Sequence, residues 1–280
     1  MIQYDILFAR HPANPILSAK DWPYSINSVF NAGATLLPDR STLLLCRVED
    51  RRGHSHLCAA RSVNGVDGWK IDSEPSLPAD PEKYPEELWG IEDPRITYVP
   101  ELRQYAIAFT SYSRGGPGVS LALTKDFRTF ERFGVIMSPD DKDAALLPRR
   151  INGLWALIHR PMTPLGAHIW ISYSPDLRHW GSHKLMLEAR RGAWWDANKT
   201  GMSPPPIETP RGWLMICHGV RRTPRRLSGR RVPLWLYGGR RRRHHQSLLR
   251  RGGFEHRLGA RQHPLPPGLA GRQRPFRTSP

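Results

Sequence analysis

Residues 169–180, Ile-Trp-Ile-Ser-Tyr-Ser-Pro-Asp-Leu-Arg-His-Trp, form a short apolar segment followed by a polar turn and an aromatic residue. The same order of strand, Asp-containing turn and aromatic residue occurs twice upstream, at residues 57–69 and 119–130. The three turn aspartates, Asp67, Asp126 and Asp176, are 59 and 50 positions apart. Such self-similarity at a long interval predicts a chain built from repeated β units.

Two further series of segments recur at comparable intervals. Apolar strands are predicted at residues 43–47, 105–109, 155–159 and 213–218. Segments that begin with polar residues lie just upstream of them, at residues 31–37, 92–99, 142–147 and 199–207. A period of about 50–60 residues with three or more strands per unit is typical of β-propeller blades, whose innermost strands line a central funnel. We therefore predict an all-β propeller with four countable blades; a β-sandwich is the less regular alternative.

The charge of the chain is concentrated at its C-terminal end. The net charge is +17, but residues 221–280 hold 17 Arg and one acidic residue, whereas residues 1–220 hold 25 basic and 24 acidic side chains. Three interpretations of the tail remain open: a basic nucleic-acid-binding arm, a solvated low-complexity extension, or an out-of-frame translation of a GC-rich gene. The third is favoured because the change falls where another blade should begin. We expect residues 1–223 to be an incomplete propeller domain and residues 224–280 an aberrant Arg/Pro/Gly-rich tail.

The cysteines and the N-terminus bear on the compartment. Cys46, Cys58 and Cys217 have neither paired nor metal-ligand spacing, which argues against a disulfide framework. The N-terminus lacks a signal-peptide pattern, and no apolar run is long enough for a membrane span. We therefore expect a soluble cytoplasmic protein.

The segment Gly90-Ile91-Glu92-Asp93-Pro94-Arg95 is the richest in chemistry, since it joins two carboxylates, a rigid proline and an arginine. Because side chains alternate along a strand, Glu92 and Asp93 are expected to point to opposite faces, with only one facing the funnel. An enclosed carboxyl group there could act as a general acid in glycosidic cleavage. A turn with an Asp–Arg ion pair is the competing interpretation.

Basic residues at the ends of apolar strands or the starts of inner strands form a second group. They are Arg47, His159, Arg160, Lys199 and His218. Arg offers a planar fork that suits phosphate oxygens, and Lys adds a point charge. Each alone is as easily a structural residue, but their recurrence at equivalent places in successive repeats favours an anion site at the funnel mouth.

Several segments together resemble glycoside hydrolase family 130, the β-mannoside phosphorylases and related hydrolases. They run in order from about residue 10 to residue 222 and include Asn14-Pro15-Ile16, Val29-Phe30-Asn31-Ala32-Gly33, Gly90 to Arg95, Lys142-Asp143-Ala144-Ala145, His159-Arg160-Pro161 and His218-Gly219-Val220. The resemblance implies a five-bladed β-propeller, of which about four blades are present here. It also implies inverting phosphorolysis of β-mannosides to α-mannose 1-phosphate.

The resemblance also implies roles for individual residues. Asp93 would be the proton donor, acting through a mannose hydroxyl. Arg160, Lys199 and His218 would bind phosphate, and Asn31, Arg47, Asp143 and His159 would hold the mannosyl unit. No metal or cofactor is expected beyond phosphate as co-substrate. The expected partners are a β-mannoside oligosaccharide and phosphate, without nucleic acid or membrane, and a homo-oligomer is compatible with the sequence.

Two alternatives remain. One is a β-mannoside hydrolase of the same fold, which would need a carboxylate base where a phosphorylase has its basic cluster. The other is a non-catalytic propeller that binds carbohydrate or nucleic acid.

Overall fold

The structure, a computed structural model, describes residue 9, residues 11–164 and 166–221, and the backbone of residues 235–239. Two short 3-10 helices, Ala19–Asp21 and Pro85–Glu87, are the helical elements of this described part. Neither is long enough to cross a membrane. The strands in chain order are β1 (Ser28–Leu36), β2 (Thr42–Glu49), β3 (Ser55–Ser62), β4 (Lys70–Ile71), β5 (Ile91–Val99), β6 (Gln104–Ser113), β7 (Gly116–Thr124), β8 (Glu131–Met137), β9 (Asp141–Leu146), β10 (Trp155–Thr163), β11 (Gly166–Ala167), β12 (Ile169–Ser174), β13 (Gly181–Leu187), β14 (Lys199–Met202), β15 (Ile207–Thr209), β16 (Gly212–Val220) and β17 (Trp235–Gly239).

Successive strands pair into antiparallel units that correspond to the four predicted blades. The first two units have the strand orders β1-β2-β3-β4 and β5-β6-β7-β8. The third unit runs β9-β10-β12-β13, and the short β11 joins β10 to β14 of the fourth unit. In the fourth, β16 pairs with β14 and β15 along one edge and with β17 along the other. The prediction of an all-β propeller is confirmed.

Apolar side chains pack between neighbouring blades, so the middle strands are buried on both faces. Strand β6 shows the pattern most clearly. Ile107 and Phe109 pack into the cluster shared with the first blade, whereas Ala106 and Ala108 pack into the cluster shared with the third. Burial on both faces explains why the middle strands read as continuous apolar runs rather than as alternating ones. The inner strands β1, β5, β9 and β14 contact one another in sequence, which brings the starts of these strands together.

The polar turns after the third strands are held by side-chain caps. The Asp176 carboxylate accepts hydrogen bonds from the backbone N–H groups of residues 178 and 179, and the Asp126 carboxylate accepts the equivalent bonds in the second blade. In the first blade the equivalent acceptor is Asn64 and not the expected Asp67. Asn and Asp both cap such turns, because each offers a short side-chain oxygen to nearby backbone donors.

The expected boundary at residues 223–224 falls among residues that the structure does not describe. Within the expected 224–280 tail, only the backbone of β17 is described, and it adds a strand to the fourth blade by pairing with β16. The interpretation of the rest as disordered or out of frame lies outside the described residues and stays a prediction.

Candidate active site

Three inner strands carry a polar residue in the left-handed backbone conformation at equivalent places. The φ angles of Asn31, Asp93 and Asp143, on β1, β5 and β9, are 47°, 53° and 52°. The strand register shifts at each of these places, as it does in a β-bulge. Asn and Asp enter this conformation more readily than most residues. Because a bulge re-aims the side chain that it carries, these three side chains leave the regular strand alternation.

Asp93 is held through one of its two carboxylate oxygens. The Asn31 side-chain amide donates to Oδ1 at 2.9 Å, and Arg47 Nη1 donates to the same oxygen at 3.0 Å. Within the described part of the chain, no hydrogen bond reaches Oδ2. One oxygen is therefore fixed, and the other is left for a ligand.

Glu92 lies on the same guanidinium as Asp93. Arg47 Nη2 donates to Glu92 Oε1 at 3.0 Å, and Lys142 Nζ lies 3.0 Å from Oε2. The expectation that Glu92 and Asp93 point to opposite faces is therefore wrong, because the left-handed Asp93 interrupts the alternation. With a cation on each oxygen, Glu92 is paired at both ends, whereas Asp93 keeps one oxygen without a hydrogen bond from the described residues.

Asp143 is buried beside two arginines and one histidine. Arg95 Nη2 donates to its Oδ1 at 2.9 Å, while Arg160 Nη1 and His218 Nε2 lie 3.0 Å and 3.4 Å from Oδ2. The contacts on Oδ2 lack the alignment of hydrogen bonds and are mainly electrostatic. Burial alone would raise the pKa of Asp143, but Arg95, Arg160 and His218 together hold it well below its usual range. This carboxylate is therefore ionised and is a weak proton acceptor.

Arg95 connects the segment around Asp93 with Asp143 and with the end of β14. Its Nη1 donates to the backbone oxygen of Asp93 at 3.0 Å, and its Nη2 donates to Asp143 and to the backbone oxygen of Met202. Its Nε donates to the backbone oxygen of Ser203 at 3.0 Å. The sequence pattern placed Arg95 beside Asp93 but gave no sign of these contacts, because they join strands that are about a hundred residues apart.

The predicted phosphate ligands lie around this cluster. Arg160 is 7% exposed, and its buried Nε has no hydrogen-bond partner among the described residues. His218 Nδ1 lies 3.1 Å from the Ser203 hydroxyl, which orients the ring. Lys199 begins β14, opposite Val220 near the end of β16. The structure thus brings Arg160 and His218 onto one carboxylate and places Lys199 at the start of the adjoining inner strand.

His159 points into the third blade. Its Nδ1 lies 2.5 Å from Asp141 Oδ2 and its Nε2 lies 2.7 Å from the Ser172 hydroxyl, so both ring nitrogens are engaged. The residue is 4% exposed. The predicted contact of His159 with a mannosyl unit stays a prediction, and the structure assigns the ring a place inside the blade.

Comparisons with known proteins identify the class to which this fold and site belong. A family profile described as beta-1,4-mannooligosaccharide phosphorylase matches residues 10–228. A beta-1,4-mannooligosaccharide phosphorylase from Ruminococcus albus is 32% identical over 220 residues, which cover 75% of this chain and 64% of that protein. A beta-1,2-mannobiose phosphorylase from Listeria innocua is 36% identical over 171 residues, which cover 59% of this chain and 45% of that protein.

A solved structure of a mannoside phosphorylase has a similar fold. The Listeria innocua beta-1,2-mannobiose phosphorylase in complex with beta-1,2-mannobiose has a TM-score of 0.68 and 26% identity, covering 76% of this chain and 75% of that one. The class is that of the carbohydrate-active β-propellers. The chain belongs to glycoside hydrolase family 130. It spans less than two thirds of the length of the two curated relatives named above.

Proposed function

We propose that this protein is an inverting glycoside phosphorylase that cleaves a β-mannoside with inorganic phosphate and releases α-mannose 1-phosphate. One observation carries the proposal: a carboxyl group with a free oxygen, Asp93, lies next to a cationic cluster whose one carboxylate, Asp143, is already paired. The description of the family profile and the names of the relatives support the mannoside as substrate class.

The proposed chemistry is a single displacement. A phosphate oxygen attacks the anomeric carbon, the bond to the leaving sugar breaks, and its electron pair goes to the glycosidic oxygen. That oxygen takes up a proton from Asp93, directly or through a hydroxyl of the mannosyl unit. Attack from the face opposite the leaving group turns a β-mannoside into the α-phosphate, and no protein nucleophile is needed.

The electrostatics of the site favour phosphate over water as the nucleophile. An inverting hydrolase needs a carboxylate that can accept a proton from water. Asp143 serves poorly for that purpose, because its cationic neighbours hold its pKa well below the usual range. The guanidinium groups of Arg95 and Arg160 instead place two positive charges on the single Asp143 carboxylate, and this excess of positive charge favours an anion nearby. We therefore assign phosphate binding to Arg160, Lys199 and His218.

The mannosyl unit is proposed to lie beside Asp93, where basic side chains balance the charge of the carboxylates. Asn31 and Arg47 meet Asp93 there, and Asp143 lies across Arg95 from it. His159 would act indirectly, because its contacts with Asp141 and Ser172 fix β10, the strand that also carries Arg160.

Replacing the acid tests the assignment. Asp93→Asn keeps the Oδ1 acceptor but cannot donate the proton, so we expect kcat for phosphorolysis to fall by about 1000-fold, a size typical of a lost general acid. Inorganic phosphate should bind the variant nearly as tightly as the wild type by calorimetry, since its ligands are unchanged. Asp39→Asn, in the exposed turn after β1, is the control. An Asp93→Asn protein with wild-type kcat would disprove the catalytic assignment.

A further inference from the structure

Besides Asp143, a second buried aspartate, Asp141, lies beside the site. It is the first residue of β9 and is 3% exposed. Its Oδ1 accepts a hydrogen bond from the backbone N–H of Arg160 at 3.0 Å, and its Oδ2 lies 2.5 Å from His159 Nδ1. One carboxylate therefore grips two consecutive residues of β10, at the place where the register of β9 and β10 shifts.

The hydrogen bonds continue from His159 across the outer strands of the third blade. His159 Nε2 lies 2.7 Å from the Ser172 hydroxyl on β12, and that hydroxyl lies 2.6 Å from His183 Nδ1 on β13. These hydrogen bonds can all be satisfied in one direction: His183 Nδ1 donates to the Ser172 hydroxyl, that hydroxyl donates to His159 Nε2, and His159 Nδ1 donates to Asp141. The imidazole of His159 is thus fixed at both ends.

Holding a carboxylate at this position costs the fold stability. Burial raises the pKa of Asp141, and the hydrogen bond from His159 offsets only part of that effect. A carboxyl with a raised folded-state pKa disfavours folding once the pH exceeds its unfolded value. Groups that are costly in this way are commonly retained for what they position.

We propose that Asp141 is a positioning residue that aims the Arg160 guanidinium at phosphate. Side chains of neighbouring residues in a strand point to opposite faces. Asp141 holds the His159 ring on the blade side and also binds the backbone N–H of Arg160. The Arg160 side chain therefore points to the other face, toward Asp143. Without this grip, the bulge between Ile158 and Arg160 can relax and carry the guanidinium away. The inference rests on the proposed role of Arg160 as a phosphate ligand.

The test compares variants of the full chain by calorimetry with inorganic phosphate and by steady-state kinetics. Asp141→Ala removes both acceptors, and since small misplacements of binding groups are costly, we expect Kd and KM for phosphate to rise by about 10-fold. KM for the mannoside should stay near its wild-type value. Asp141→Asn keeps the acceptor for Arg160 but weakens the bond to His159, so its phosphate Kd should rise by about threefold.

Glu87→Ala is the matched control. Glu87 is also a buried carboxylate whose pKa is raised by burial, and it also accepts from one backbone N–H and one side-chain donor, on Arg132. It lies in the 3-10 helix Pro85–Glu87, which packs on β6, in a different part of the fold from Arg160 on β10. It should lower the melting temperature and leave phosphate binding unchanged. Wild-type phosphate affinity in Asp141→Ala, or an equal loss in Glu87→Ala, overturns the proposal. Should Asp141→Ala not fold, Asp141→Asn at wild-type affinity overturns it.

Phosphate binding by the wild type distinguishes failure of this inference from failure of the proposed function. If the wild type binds no phosphate, the role of Arg160 as a phosphate ligand is wrong, and crystal structures then decide the positioning. An Arg160 guanidinium displaced from Asp143 in the Asp141 variants supports the inference, and an unmoved guanidinium contradicts it.

Discussion

Asp143 illustrates how single residues hold this site together. Its carboxylate lies against two arginines and one histidine from three different blades, and the two guanidinium groups would repel one another without it. A buried charge of this kind is stable only with its partners in place, because removing one leaves the others desolvated and unpaired.

Asp143→Asn should therefore destabilise the fold by about 3 kcal/mol, as expected for breaking a buried ion pair. Chemical denaturation monitored by tryptophan fluorescence measures the change in the free energy of unfolding. Glu101→Gln breaks the exposed pair with Arg150 and should cost less than about 1 kcal/mol. Equal losses in the two variants would contradict the buried network.

The effect of Asp143 on stability should depend on pH. Its pKa is lower in the folded protein, so its carboxylate stabilises the fold above the unfolded value of about 3.9 and stops doing so as the pH falls through the folded pKa. The stability difference between wild type and Asp143→Asn should be largest at neutral pH and shrink below about pH 4. Denaturation curves at several pH values measure it, and a difference that grows on acidification would contradict the sign.

Residues that start the inner strands were predictable, whereas their partners were not. The polar starts of the inner segments pointed to Asn31, Asp93, Asp143 and Lys199, because each is the first or second residue of a segment that precedes an apolar strand. The contacts of Arg95 and Asp141 depend on bulges, which shift the strand register in a way that a period of two cannot foresee. The same irregularity made the expected opposition of Glu92 and Asp93 wrong.

Gly201 on β14 shows how an element makes room for the site. A Cβ atom at this position would collide with Asp143 Oδ2 and come within 2.9 Å of the His218 ring. Strand β14 can therefore lie against the charged cluster only with glycine there.

Gly201→Ala should lower stability by about 1–3 kcal/mol through this overpacking. It should also weaken phosphate binding, because the His218 ring must move. Gly181→Ala, at the start of β13 with open space around it, is the control and should change stability by less than about 0.5 kcal/mol. Unfolding free energies and phosphate titrations of both variants test this expectation, and an unperturbed Gly201→Ala would show that the site is looser than described.

Strands were easier to predict than their ends and partners. The second strands of all four blades and the third strands of the first three stood out because their sequences are largely apolar and both faces are buried. The outermost strands β4, β8 and β13 were not predicted. They are short or solvent-facing, so they carry little apolar pattern.

The interval between the sequence repeats predicts the architecture of the described strands. Each blade buries its faces only against its neighbours, so one period of strands must recur along the chain. The family, and with it the choice of mannoside chemistry, came from motifs spread over the same repeats.

The most direct test is to follow the full chain with a β-mannobiose, linked β-1,4 or β-1,2, in the presence and absence of inorganic phosphate by phosphorus and proton NMR. We expect phosphate-dependent release of mannose 1-phosphate in the α configuration, with little free mannose formed when phosphate is absent. Release of free mannose at the same rate with and without phosphate would contradict it and would make the protein a hydrolase of the same fold.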